Sequence, residues 1–225
     1  MILWERLLNR QFQASQLARR LAQINSKQSL YPCITISREE GSEGRLIAKK
    51  VAKKLKITYY DKKLVEMITK EAKKKRELIS ALDEQTQDAI STIVNNFFGF
   101  ESLPEHTYIK SLARVLLSIA ANHSAVILGR GGNFILPKKK TLRIRIVAPF
   151  QNRVYHSVHS QKRSEAMVKQ EIRKTHRNRK QFIGKYFSKS ISNANYYDLV
   201  FNTQYLKVNQ VSEIITKTFK RYFSD

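Results

Sequence analysis

One stretch of the chain has residue types and spacing suited to holding a phosphate: Ser37-Arg38-Glu39-Glu40-Gly41-Ser42-Glu43-Gly44-Arg45-Leu46. An apolar run of strand type, Cys33-Ile34-Thr35-Ile36, precedes it, and Ile47 to Leu55 follows with helical periodicity. Strand, glycine-containing loop and helix in that order make a phosphate cradle. Glycines let the loop turn backbone N–H groups toward an anion at the positive end of the helix. The loop departs from a Walker A ending of Gly-Lys-Ser/Thr, because Gly44 is followed by Arg45 and Leu46. A guanidinium therefore stands where an ammonium is usual, and the hydroxyl that would meet magnesium is missing. Two glycines between a strand and a helix also describe an ordinary tight turn, so the rest of the chain has to decide.

Phosphoryl transfer needs donor and acceptor held in line and the charge on the moving group neutralised, and arginines around one cleft can do this. Arg130 follows the apolar run Val126-Ile127-Leu128-Gly129, at the carboxyl edge of the expected sheet, where open α/β folds bind ligands. Arg153, Arg173, Arg177 and Arg179 lie in a basic region further on. Arg173 and Arg177 are spaced for one helical face, with Arg179 expected nearby, although a solvated helix face gives the same pattern. Asp61, after Tyr59-Tyr60, can either face a ligand or cap the helix beginning at Lys62. His156 and His159 have no cysteine or carboxylate cluster around them and do not make a zinc motif. No Ser-His-Asp arrangement or organised carboxylate pair is present.

Several ordered blocks resemble the cytidylate kinase-like family of P-loop proteins. ITISREEGSEGR is similar to that family's strand leading into S-R-E-x-G-S-G-G-R, and Tyr60-Asp61 to the pair after its next strand. Val126 to Leu136 resembles the third strand and Gly-Arg-Gly turn, and Leu142 to Pro149 the fourth strand. Arg179 with Phe182, Tyr186 and Phe187, then Tyr197 to Thr203, resembles the basic lid and final strand. The likeness runs from about Pro32 to the C-terminus. It implies ATP as phosphate donor, with Mg²⁺, and a nucleoside monophosphate as acceptor, CMP or dCMP first. Gly41, Ser42, Glu43, Gly44, Arg45 and Leu46 would hold the donor, and Asp61 and Arg130 the acceptor. Arg45, Arg153, Arg173, Arg177 and Arg179 would carry the transfer. Two positions depart from the pattern, Glu43 replacing a glycine and His176 the lid aspartate, and Gly131 stands where standard cytidylate kinases have the aspartate of a Gly-Arg-Asp turn. With Leu46 unable to bind metal, Ser42, Glu39, Glu40 or water would have to serve magnesium.

The 225 residues suffice for one substantial core with a small subdomain. Net charge is +24, and it is polarised. Lys138 to Lys189 holds sixteen basic and two acidic residues, a net of +14, whereas Glu77 to Pro137 has a net of −3. Such a basic stretch attracts polyanions, so nucleic acid is a candidate partner, and a solvated face in a lysine-rich chain is the plainer alternative. Cys33 is the single cysteine, which excludes an internal disulfide and fits a cytoplasmic protein. No apolar run reaches the ~18 residues of a membrane helix.

Residues 1–31 read as an amphipathic helix and linker, through Leu3, Leu7, Ala14, Leu17, Leu21 and Ile24, suited to packing on the chain's own core or to forming a homodimer. Residues 32–225 read as the main domain. Within it, 62–122 is a helical acceptor-covering region that opens with a long helical stretch of few breakers from Lys62 to about Asn96, turns at Gly99 and Pro104 and continues in a further amphipathic helix, and 161–188 is a basic lid. Helices alternating with short apolar strands predict an α/β, three-layer P-loop fold around a parallel sheet of about five strands. Two functions follow: phosphoryl transfer to a nucleoside monophosphate, or a catalytically weak or inactive P-loop protein that binds nucleotide or nucleic acid through its basic lid face.

Overall fold

The computed structural model describes residues 30–98, 104–161 and 163–223, without the side chains of 104–106 and 161. The expected N-terminal helix, apart from its last two residues, and the turn at Gly99 lie outside the described residues. The chain divides into two compact units, Lys63–His123 with residues 30–31, and 32–62 with 124–223.

In the second unit a five-stranded parallel sheet has the order β2-β3-β1-β4-β5. Its strands are β1 (Cys33–Arg38), β2 (Thr58–Tyr60), β3 (Ala125–Leu128), β4 (Thr141–Val147) and β5 (Leu199–Asn202). Helix α1 (Gly44–Leu55) follows β1. Parallel strands covered on both faces read as apolar runs, and β1 and β3 do so. Ile34 and Ile36 of β1 and Leu142, Ile144 and Ile146 of β4 pack with Ile47, Val51 and Phe219 in one fully buried cluster. Phe219 belongs to α9 (Val208–Tyr222), so α1 and α9 cover this face. The alternate residues face the other way, where the short α6 (Gly132–Ile135) rests against Thr35 and Ile127.

Alternation also explains the charges inside β4. Arg145 is only 4% exposed and donates to Ser37 Oγ at 2.8 Å, while Arg143 pairs with Asp198. Helices α7 (Phe150–Gln161) and α8 (Glu165–Phe187) form a hairpin held by Val154, Val168 and Ile172, with Phe150 and Val158 packed against them. The expected lid is thus one long helix, α8, ended by Ser188 at φ +52.

In the first unit the helical stretch from Lys62 consists of three helices, α2 (Lys62–Lys70), α3 (Ala72–Ser80) and α4 (Glu84–Phe98). Glu71 breaks the first with an extended backbone. Asp83 starts the third by accepting from Thr86 N and Thr86 Oγ1, both at 2.8 Å. Helix α5 (Pro104–Asn122) completes the unit through Ile109, Leu112, Leu116 and Ile119. Among the described residues no helix is long and apolar enough to cross a membrane.

Candidate active site

Strand order reverses at β1, whose neighbours β3 and β4 belong to connections running in opposite directions. A crevice opens at the carboxyl end of such a strand, and residues 39–43 fill that position. Gly41 has φ +82, and a side chain there would meet the Arg153 carbonyl at 2.4 Å. The loop can therefore pass under α7 only as glycine. Glu43 begins α1 with a left-handed backbone, φ +57, and makes no side-chain cap. The first-turn N–H groups of α1 are left facing the crevice without that cap, which is the electrostatic basis of anion binding at a helix start.

Hydrogen bonds from outside the loop fix its shape. Glu39 N donates to Ile146 O at 3.0 Å, and the Glu39 carboxylate accepts from Ala148 N at 3.2 Å. Arg153 Nε lies 3.4 Å and Arg145 3.8 Å from the same carboxylate. Arg179 of α8 donates to Arg38 O at 2.7 Å and pairs with Glu40. Ser42 is fully buried and turns its hydroxyl toward Glu39 O, at 3.0 Å, so it offers a ligand only its backbone. The Ser42 hydroxyl is thus engaged within the loop, and Glu39 and Glu40 are already held by arginines. The side chains of the loop do not fit a resident magnesium site. Magnesium arriving with a nucleotide would be held by phosphate oxygens and water.

The crevice has a volume of about 640 Å³ and is lined by Arg38, Gly41, Glu43, Gly44, Arg45, Leu46, His156 and Glu171, among others. Arg45 is exposed at its edge, and Leu46, 55% exposed, presents no polar atom from its side chain. Glu43 Oε2 lies 3.9 Å from His156 Nε2.

Arg38, to which the sequence reading gave no role, is the main addition. Its side chain passes Gly44, where a Cβ would lie 2.6 Å from Arg38 Cβ. The guanidinium reaches the Gly129 backbone, where a Cβ would lie 2.6 Å from Nη1. Burial, then the neighbouring Arg179, pushes Arg38 down to about 9. Burial also lowers Arg179, against the opposing pull of Glu40. The available signal was its place immediately after the apolar strand and before the glycine loop.

The other anticipated residues fall in three places. Arg130, at φ +56, sits one residue past Gly129 with its guanidinium 5.6 Å from the Phe182 ring centre. Asp61 directly precedes α2 and, after burial, is the next cause holding the Tyr59 hydroxyl protonated. Arg153, Arg173 and Arg177 line a separate hollow of about 240 Å³ with Phe150, Ile172 and His176. Arg153 and Arg173 each stand 5.4 Å from the Phe150 ring. Arg179 alone of the α8 arginines reaches the loop, because residues two apart on a helix point to different faces. The expected convergence of Arg173 and Arg177 with Arg179 does not occur here.

The departure at Gly131 has a packing reason. With φ +66, it lies against Phe187 of α8, whose ring carbon would sit 2.5 Å from any Cβ. An aspartate there would have to displace that ring.

The sequence matches the cytidylate kinase-like family over residues 33–205, more than half of the chain. The chain belongs to that family. A search of curated proteins returned no match. Among solved structures, this cytidylate kinase-like chain is similar to an uncharacterized protein from Eubacterium ventriosum ATCC 27560. The TM-score is 0.67 and the identity 20%, over 84% of this chain and 98% of that one. TT1252 from Thermus thermophilus is similar at a TM-score of 0.52 and 13% identity, over 88% of this chain and 100% of the other. These likenesses show the fold alone, an α/β architecture built in this chain on a parallel five-stranded sheet.

Proposed function

We propose that the protein transfers the γ-phosphate of ATP, supplied as its magnesium complex, to a nucleoside monophosphate, with CMP or dCMP as first candidates. The observation that carries this reading is the gathering of Arg38, Arg45 and Gly44 at the start of α1 around one crevice, with Arg179 bonded to the loop behind it. Gly41 to Leu46 supply the donor site through backbone N–H groups and the Arg45 fork, which suits bidentate contact with phosphate oxygens. Asp61 and Arg130, at the carboxyl ends of β2 and β3, supply the acceptor side. Fixed cations that neutralise developing charge do most of the work in such a transfer. Arg153, Arg173 and Arg177 join the reaction only if the α7–α8 hairpin rearranges around bound nucleotide.

ADP release coupled to CMP, dCMP, UMP, AMP and GMP tests the proposal. Turnover with at least one acceptor is expected, and Arg45→Ala should reduce it by about ten- to a hundredfold, the worth of one charged hydrogen-bonding group. No acceptor-dependent turnover with any of the five overturns it.

A second reading rests on the exposed basic face of α8, where Arg173, Lys174, Arg177, Lys180 and Lys185 are open to solvent. It makes the protein a weak or inactive kinase that binds nucleic acid. Such binding must fall steeply between ~50 and 200 mM salt. Fluorescence titration of a short labelled duplex across that range supports it by a steep slope and removes it by absent or salt-independent binding.

A further inference from the structure

We propose that Arg38 is the group that receives the acceptor's phosphate, a role that rests on the transfer reaction proposed above. Three observations place it there. Arg38 lines the crevice, with its Cβ and Cγ against Gly44 at the start of α1 and its guanidinium against Gly129 at the β3 turn. That is the gap between the loop assigned to the donor and Arg130, assigned to the acceptor. Nη1 of Arg38 stands against Gly129, directly after β3, so the side chain points to the β3 side of the loop.

The second observation is the want of a counter-charge. Arg38, Arg45 and Arg179 act on one another there. Glu40, the carboxylate acting on Arg38, is paired with Arg179, and Glu39 is held by Arg145, Arg153 and the Ala148 N–H. Among the described residues the Arg38 guanidinium has no hydrogen-bond or ion-pair partner. A half-buried guanidinium without an ion-pair partner is favourably completed by an anion entering the crevice. The third observation is shape. Glycines at 44 and 129 leave the room that the side chain and its fork occupy. A phosphate dianion presents paired oxygens matching that fork.

The test is calorimetric titration of wild type, Arg38→Met and Arg38→Lys with the five monophosphates, the nucleoside of whichever binds best, and a non-hydrolysable ATP analogue. Wild type should prefer the monophosphate over its nucleoside by at least about tenfold. In Arg38→Met that preference should fall below about threefold, and the monophosphate should lose more affinity than the ATP analogue does. Arg38→Lys keeps the charge and loses the fork, so it should fall between the two. If Arg38→Met does not fold, the lysine variant decides alone. An undiminished preference in the folded variants overturns the role of Arg38 and leaves the kinase reading standing. Wild type that binds the ATP analogue and none of the five monophosphates overturns the acceptor reading itself, and Arg38's role with it.

Discussion

The Glu43 carboxylate lies 3.9 Å from His156 Nε2, with Glu43 itself in the left-handed backbone region at φ +57. The side chain that replaces the family's usual loop glycine is thus directed at α7, yet it remains in the wall of the crevice. Glu43→Gly removes a negative charge beside the phosphate position and relieves about 1 kcal/mol of backbone strain. Calorimetry with ATP and magnesium should show affinity rising on the order of tenfold, with a higher melting temperature as well. Equal or weaker affinity would mean that the loop is already competent with Glu43 in place, or that it takes no phosphate.

Gly131 and Phe187 form a matched pair. Gly131→Asp, which makes the Gly-Arg-Asp turn of standard cytidylate kinases, should destabilise the protein by about 2 kcal/mol or more, since both the positive φ and the ring stand against it. Adding Phe187→Ala should return part of that loss, and a double-mutant cycle in urea reads the coupling. Strictly additive losses would show that the ring contact is not the cause.

Arg179 ties α8 to the loop through Arg38 O and Glu40. Arg179→Met leaves a buried carbonyl and a carboxylate without that donor, at a cost of about 2 kcal/mol. Hydrogen exchange should rise at residues 38–43 and stay unchanged in α9, where packing is independent of this contact. Uniform exchange across both segments would contradict the tie.

Burial pushes the Cys33 thiol up to about 12 from an ordinary value near 9. The thiolate is therefore scarce in the folded protein, and iodoacetamide at pH 8 should label Cys33 only after unfolding. Because the folded value is the raised one, the linked stability is full below about pH 9 and is lost as pH climbs toward 12. Cys33→Ala should lack that alkaline loss in denaturation measured at pH 8 and pH 10.5, and equal loss in both proteins would exclude Cys33 as its source.

Local chemistry made much of the molecule legible in the amino-acid order. Ile34, Ile36, Ile144 and Ile146 announce strands buried on both faces, since an apolar run bounded by loop residues satisfies a parallel sheet. Gly41 and Gly44, between such a strand and a helical run, announce the cradle and give α1 its start. The five ordered blocks that resemble the cytidylate kinase-like family lie in the segment that matches it.

What only the tertiary structure decided are relations between residues far apart in the chain. Arg173, Arg177 and Arg179 read alike as lid arginines. Packing of α8 on α7 turns the first two toward Phe150 and leaves Arg179 alone on the loop. Gly131 reads as a missing carboxylate until Phe187 is seen against it. Arg38 is one charge among 42 basic residues in the sequence. It becomes distinct because the fold lays it between Gly44 and Gly129 while the nearby Glu40 is paired with Arg179, and a guanidinium's surroundings depend on contacts that no local pattern encodes.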